Sequence, residues 1–132
     1  MPSRSVHRCR HHHHNLSTAA LALATLGAAF GFQERIKELV QACPIVIFSK
    51  SYCPFCKRVK ALFAQLGEPV CALELDGTSD GAAIQSVLLE VTGQRTVPSV
   101  FVGGQHVGGN DDAQAKAKSG DLQGMIAKAK QS

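Results

Sequence analysis

The chain has 132 residues, enough for one domain with a modest core and too few for two domains of full size. Its formal net charge is +4, but residues 1–33 hold three arginines and no acid, whereas residues 34–132 hold 11 Lys and Arg against 10 Asp and Glu. This near-neutral balance of +1 argues against general attraction to nucleic acid, and we expect no nucleic-acid partner.

Residues 1–33 are interpreted as a presequence. Their basic start leads into a mostly apolar run, residues 16–32, which is marginal for crossing a bilayer because a span needs ~20 apolar residues. A signal peptide or signal anchor fits this order of segments; a transit peptide and a disordered tail are the alternatives. For the location of the protein, we slightly favour the secretory pathway or a membrane anchor over the mitochondrion or plastid. If residues 16–32 are not cleaved off, we expect them to associate with the membrane.

From residue 34 onward the sequence alternates helix and strand signals. Residues 33–42 place apolar side chains on one helical face, and the run IVIF after Pro44 is typical of a strand buried on both faces. A second amphipathic helix begins near Pro54 and is closed by Gly67. The segment PVCALEL, residues 69–75, predicts a second strand.

The second half continues this alternation. Residues 78–80 supply capping side chains for a helix that ends at Gly93, with Ile84, Val87, Leu88 and Val91 on one face. A Gly-Gly pair between SVFV and QHV indicates a β-hairpin, and a final helical region runs over 111–130. The order α-β-α-β-α-β-β-α predicts an α/β fold in which a four-stranded mixed sheet is flanked by helices.

Two cysteines lie where the first strand ends and the second helix begins. Their spacing, Cys53 and Cys56, brings both thiols to one face of the first helical turn, within reach of a disulfide. Pro54 suits the first helical position, which leaves Cys53 at the N-cap beside free N–H groups and the positive end of the helix dipole. With Lys50, Lys57 and Arg58 nearby, a depressed pKa predicts Cys53 as the nucleophile and Cys56 as the resolving thiol.

Other interpretations of the pair are weaker. A structural zinc site needs four ligands, and residues 34–132 offer no second C-x-x-C or H-x-x-x-H at usable spacing, so we expect no metal. A structural disulfide across two intervening residues would constrain little of the unfolded chain. Of the other cysteines, Cys9 falls in the presequence, and Cys43 and Cys71 are expected to be packed free thiols.

Three motifs together resemble a dithiol glutaredoxin of class I, of the plant and algal type. They are IVIFSKSYCPFC, then TVPSVFVGGQHVGG, then NDD, and the resemblance covers essentially all of residues 34–132. It implies a thioredoxin fold and an enzyme that uses glutathione to reduce protein–glutathione mixed disulfides and protein disulfides. It also implies that Pro98 is cis and faces the active cysteines.

The resemblance further implies a glutathione groove. Lys50 and Gln85 would hold the glycine carboxylate, the backbone of Val97 would pair with the cysteinyl part, and Asp111 with Asp112 would meet the γ-glutamyl end. A cation at one end and an acid-lined helix N-terminus at the other suit the charges of glutathione, although both aspartates could equally serve as helix caps. The remaining expected groove residues are Tyr52, Phe55, Thr96 and Pro98.

Two positions depart from the family pattern. Phe55 replaces the tyrosine common in C-P-Y-C, which removes a hydroxyl near the thiolate and keeps an aromatic wall. Asn110 stands where several relatives have a third cysteine. We give equal weight to two roles for Arg95, next to the T-V-P motif: it helps to bind the glycine carboxylate of glutathione, or it is only a surface residue.

An alternative function is a glutathione-coordinated [2Fe-2S] cluster carrier, in which two chains contribute Cys53 thiolates. Pro54 argues against it, because the family's usual cluster binders carry C-G-F-S or lack a proline after the first cysteine. We therefore expect a monomer whose partners are glutathione and glutathionylated or disulfide-containing proteins. A thioredoxin is disfavoured, since W-C-G-P-C and any tryptophan are missing.

Overall fold

The computed structural model describes residues 28–131 as helices packed around one four-stranded sheet. The helices are α1 Ala28–Ala42, α2 Pro54–Gln65, α3 Gly81–Thr92, α4 Asn110–Ser119 and α5 Asp121–Gln131. The strands are β1 Ile45–Ser49, β2 Cys71–Glu74, β3 Ser99–Val102 and β4 Gln105–Gly108, with a short 3₁₀ helix at Leu75–Gly77. The predicted order of elements is confirmed, except that the last helical region is two helices.

The strands lie in the order β2-β1-β3-β4. Strand β1 runs parallel to β2, with Ile47 opposite Ala72, and antiparallel to β3, with Ile47 opposite Val100. Strands β3 and β4 form the predicted hairpin, whose turn has Gly103 and Gly104 at φ +60° and +81°. Positive φ at both turn positions is the conformation that glycine adopts without steric penalty.

A hydrophobic core lies on each face of the sheet. Alternate residues of β1 point to opposite faces, so Val46 and Phe48 pack with α1 and α3, whereas Ile45 and Ile47 pack with α2, α4 and α5. All five residues of β1 are buried, as predicted for a strand covered on both sides. The carboxyl end of this central strand is therefore a rigid platform for the loop that follows.

Three local features differ from the sequence-based predictions. Helix α1 begins at Ala28, so it overlaps the last part of the predicted presequence, and Phe32 packs against the core. The final helical region breaks at Gly120, which caps α4 in the left-handed conformation at φ +91°. Val91, expected on the buried face of α3, is 56% exposed because it lies in the last turn of that helix.

The prediction that Cys43 and Cys71 are free packed thiols is wrong. A disulfide joins them, linking the end of α1 to the first residue of β2 across a sequence separation of 28. Parallel pairing of β1 with β2 makes this possible, because it sets Cys71 opposite Val46, beside the start of β1. Their Cα atoms are 6.5 Å apart, within the usual range for a disulfide.

None of the helices within residues 28–131 combines the length and apolar character needed to cross a membrane. The predicted membrane association through residues 16–32 falls mostly outside the described residues, as does Cys9.

Candidate active site

Cys53 occupies the N-cap of α2, as predicted. Its backbone is extended, at φ −83° and ψ 121°, and Pro54 follows at the first helical position. The loop from β1 closes in a turn in which the Cys53 N–H donates to the carbonyl of Lys50 at 3.1 Å. The Cys53 carbonyl in turn accepts the first bond of the helix, from the N–H of Lys57 at 3.2 Å. Sheet, turn and helix together therefore determine where the Cys53 sulfur lies.

The two thiols have different surroundings, and both are unbonded. Cys53 is half-buried, whereas Cys56 is completely buried and receives the backbone N–H of Lys50 at 3.5 Å from its sulfur. Reagents from solution can reach Cys53, while Cys56 faces the protein interior. Of the two thiols, Cys53 is therefore the accessible one.

The pKa values of the two thiols move in opposite directions. Burial tends to raise the pKa of Cys53, but the N–H of Cys56, the Cys56 thiol, the N–H of Phe55 and the charge of Lys50 together bring it below its usual value. Burial, together with the proximity of Cys53, raises the pKa of Cys56 to about 11, despite the Lys50 N–H. One thiol is therefore predisposed to ionise and the other to keep its proton.

A polar network that the sequence did not predict anchors the loop before Cys53. The Ser51 N–H and hydroxyl both donate to the carboxylate of Asp76 in the 3₁₀ helix. Ser49, the buried last residue of β1, donates from its hydroxyl to one carboxylate oxygen of Glu74 at 2.6 Å. Lys60 of α2 donates to the other oxygen of Glu74, also at 2.6 Å. The only sign of this network in the sequence was the pair of acidic residues where β2 ends, Glu74 in its last position and Asp76 two residues later.

The T-V-P segment lies beside Cys53. The Val97–Pro98 peptide bond is cis, as the resemblance implied. The Val97 carbonyl oxygen lies 4.0 Å from the Cys53 sulfur. The adjacent Gln94, missed at the sequence level, donates from Nε2 to the carbonyls of Thr96 at 2.8 Å and of Pro98 at 2.7 Å.

The turn before α4 packs against this segment. A methyl group on Gly109 would lie 3.6 Å from the carbonyl oxygen of Pro98, so the two backbones are neighbours. Asp112 accepts the N–H of Gly109 at 3.2 Å and therefore caps α4, while Asp111 is exposed in the same first helical turn. The structure thus brings both aspartates to the T-V-P side of the molecule.

The other predicted groove residues lie on neighbouring elements. Gln85 of α3 donates to the carbonyl of Arg95 at 3.0 Å, which links that helix to the loop before T-V-P. Tyr52 and Phe55 are 65% and 49% exposed, unusual for large apolar side chains, and the Arg58 guanidinium lies 5.5 Å from the Phe55 ring centroid. Two solvent-exposed aromatic side chains therefore lie close to Cys53 in the sequence, one before it and one after it.

Among residues 28–131, no group of three or more His, Cys, Asp or Glu side chains is arranged to hold a metal ion.

Comparison with known proteins agrees with this geometry. The Glutaredoxin family model matches residues 45–107. Glutaredoxin-C6 of Oryza sativa subsp. japonica is 55% identical over 95 residues, which are 72% of this chain and 85% of that protein. Among solved structures, a buckwheat glutaredoxin–glutathione complex is 48% identical with a TM-score of 0.75, covering 76% of this chain and 92% of that one. Wheat glutaredoxin is 54% identical with a TM-score of 0.72, covering 74% and 92%.

These matches confirm the thioredoxin fold, with its four-stranded mixed sheet flanked by helices. The chain is of the dithiol plant type: it has the two unbonded thiols Cys53 and Cys56, and plant glutaredoxins are among its relatives. The chain belongs to the glutaredoxin family and is a glutathione-related thiol–disulfide oxidoreductase.

Proposed function

We propose that this protein uses glutathione to reduce protein–glutathione mixed disulfides and protein disulfides. The observation that supports this most directly is the contrast between its two thiols. Cys53 is half-exposed with a lowered pKa, and Cys56 is buried beside it with a raised pKa. A thiolate is the reactive form in disulfide exchange, so Cys53 attacks and Cys56 follows.

For a glutathionylated protein, the Cys53 thiolate attacks the glutathione sulfur. The protein–glutathione S–S bond breaks, the target leaves as a thiolate that takes a proton, and a Cys53–glutathione disulfide forms. The thiolate of a second glutathione then attacks the glutathione sulfur of that disulfide. Oxidised glutathione leaves, and the Cys53 thiolate is restored. Cys56 takes no part in this route.

For a protein disulfide, Cys53 attacks one sulfur and forms a mixed disulfide with the protein. Cys56 then loses its proton and attacks the Cys53 sulfur, which releases the second protein thiol and leaves a Cys53–Cys56 disulfide. Two glutathiones reduce that bond in sequence and leave as oxidised glutathione. The spacing of the two cysteines in the first turn of α2 allows the bond to form with little backbone movement.

Glutathione would lie across the surface beside Cys53. In this proposal the Val97 backbone pairs with its cysteinyl part, Lys50 and Gln85 bind its glycine carboxylate, and Asp111 and Asp112 bind its γ-glutamyl end. Charge complementarity supports this orientation, and the related buckwheat protein is described as a glutathione complex. Exposed Tyr52 and Phe55 would form the aromatic walls, and Thr96 and Pro98 would frame Val97.

Two single variants test the proposal. Cys53→Ser should abolish reduction of both a glutathionylated peptide and a protein disulfide, because the attacking sulfur is lost. Cys56→Ser should keep the first reaction and lose the second. Glutathione-coupled release of the peptide thiol measures the first, and reduction of an inter-chain disulfide measures the second. Deglutathionylation that survives in Cys53→Ser would overturn the assignment of roles.

The same protein can be tested for the alternative function. We propose that it acts as a monomer without a resident metal, whereas a cluster carrier would bridge two chains through Cys53. Anaerobic incubation with iron, sulfide and glutathione, followed by a visible spectrum and a mass measurement, separates the two. A coloured dimer would favour the cluster carrier.

We also propose that residues 1–33 direct the chain to its compartment, with the secretory pathway or a membrane anchor placed before the mitochondrion or plastid. The basic, acid-free start followed by an apolar run supports this. A fluorescent fusion of residues 1–40, imaged in the source cell, tests it. Import into a plastid or mitochondrion would overturn the order of preference.

A further inference from the structure

Gln94 lies at the centre of a small hydrogen-bond network behind the T-V-P segment. Its Nε2 group donates to the carbonyls of Thr96 and Pro98, at 2.8 and 2.7 Å. Its Oε1 lies 3.0 Å from Nε2 of His106 on strand β4. A single side chain therefore connects the residues on either side of Val97 to the neighbouring strand.

The partners determine which atom donates in the contact with His106. Both protons of the Gln94 amide nitrogen are directed to carbonyls, so Oε1 is the acceptor and His106 donates from Nε2. Burial lowers the pKa of His106 and outweighs the opposing charge of Asp112, which favours the neutral ring. The ring is further held by Phe101, whose centroid lies 5.1 Å away.

This network affects how Val97 is presented. The carbonyls of Thr96 and Pro98 accept hydrogen bonds from Gln94, whereas the Val97 carbonyl oxygen between them lies 4.0 Å from the Cys53 sulfur. Gly109 packs against the same amide, since a methyl group there would lie 3.6 Å from Gln94 Nε2.

We propose that Gln94 and His106 are positioning residues for glutathione selectivity: together they hold the Val97 backbone so that its polar groups face a tripeptide bound beside Cys53. Neither residue touches the reacting sulfur. The inference rests on the proposed function and adds to it the residues that make the Val97 edge rigid before glutathione arrives. Preorganised polar groups bind better than groups that must first be ordered.

Two small disulfides test this selectivity. Oxidised glutathione carries peptide groups that can pair with Val97, whereas bis(2-hydroxyethyl) disulfide carries none. The second-order rate constant of the reduced enzyme with each is followed by the loss of Cys53 thiolate absorbance in the ultraviolet. Their ratio measures glutathione selectivity, and the hydroxyethyl rate alone reports the intrinsic reactivity of Cys53.

Gln94→Met keeps the length of the side chain and removes its donors and acceptor. We expect the ratio to fall about tenfold, with the hydroxyethyl rate nearly unchanged. His106→Phe keeps the ring against Phe101 and removes one hydrogen bond, so the ratio should fall about threefold. The double variant should resemble Gln94→Met, because the two residues act through one network.

Gln123→Met is the matched control, since Gln123 is an exposed glutamine on α5 that donates to Ala117 at 3.1 Å, and its ratio should equal the wild-type value. If both rates fall in parallel in the two test variants, or if the ratio stays unchanged in both, the proposal is overturned. Should Gln94→Met fail to fold, judged by circular dichroism, His106→Phe alone decides. A wild-type enzyme that shows no preference for oxidised glutathione would instead contradict the proposed function itself.

Discussion

Ser51 and Asp76 make a two-point contact. The Ser51 backbone N–H donates to one carboxylate oxygen of Asp76 at 3.1 Å, and the Ser51 hydroxyl donates to the other. The Ser51 hydroxyl and N–H hold the pKa of Asp76 below its usual value, so the carboxylate remains charged through the neutral range. This contact ties the loop between Lys50 and Cys53 to the end of β2.

Replacing this carboxylate should slow the enzyme without changing the reacting groups. Asp76→Ala removes both acceptors, and we expect the rate constant of Cys53 with oxidised glutathione to fall on the order of tenfold, because a misplaced nucleophile loses alignment. Asp76→Asn keeps one neutral acceptor, so this rate constant should fall less than in Asp76→Ala. Glu90→Ala, an exposed carboxylate on α3, is the control and should match the wild type. An unaltered rate in Asp76→Ala would show that the loop does not need this anchor.

The pH dependence of Cys53 follows from its lowered pKa. Alkylation by iodoacetamide should rise with pH through a midpoint below that of an ordinary thiol, since only the thiolate reacts. Lys50→Gln removes a positive charge that favours the thiolate, so the midpoint should move up and the rate at pH 6 should fall. Lys118→Gln, an exposed lysine in the last turn of α4, should leave the midpoint in place. A midpoint at the value of a free cysteine in the wild type would contradict the predicted activation.

The disulfide between Cys43 and Cys71 should contribute to stability rather than to reactivity. Cys43→Ser is expected to lower the free energy of unfolding by about 2–4 kcal/mol, because the cross-link restricts the unfolded chain over a separation of 28 residues. Urea unfolding measures this loss, and reductant should lower the wild-type value similarly while leaving the variant unaffected. The alkylation rate of Cys53 should not change. Equal stability in oxidised and reduced wild type would rule out a stabilising bond.

Two glycines should respond in opposite directions to replacement by alanine. Gly124 lies within α5 with no atom within 4 Å of an added methyl group, so Gly124→Ala should raise the free energy of unfolding by roughly 0.5–1 kcal/mol through helix propensity. Gly81 begins α3, where an added methyl group would overlap the backbone carbonyl of Leu75. Gly81→Ala should therefore lower the free energy of unfolding by about 1–3 kcal/mol. Thermal or urea unfolding of the pair checks both signs, and two shifts of the same sign would contradict the packing argument.

Features determined by neighbouring residues could be predicted from the sequence. Pro54 specifies a first helical residue, which places Cys53 at the N-cap, and the paired glycines at 103 and 104 specify a hairpin turn. The continuous apolar run along β1 likewise indicates burial on both faces. Each of these needs only local geometry, and the structure confirms each one.

Features that depend on distant partners were not predicted. Nothing in their spacing pairs Cys43 with Cys71, because the register of β1 against β2 brings them together. Asp76 and Gln94 look like ordinary polar residues until the fold places a loop N–H or two carbonyls in front of them. The break at Gly120 was missed because an isolated glycine is tolerated within a helical pattern. The expected contacts of Lys50, Gln85, Asp111 and Asp112 with glutathione remain predictions.

The complete burial of Cys56 has a consequence for the order of events. Because burial and the proximity of Cys53 raise the pKa of Cys56 to about 11, we expect this thiol to be protonated when the first electrophile arrives and Cys53 to react first. Once Cys53 has formed a disulfide, its negative charge is gone, and Cys56 should then lose its proton more easily and be able to attack. We therefore expect the lifetime of the first adduct, and with it the choice between the one-thiol and the two-thiol route, to depend on how readily Cys56 loses its proton.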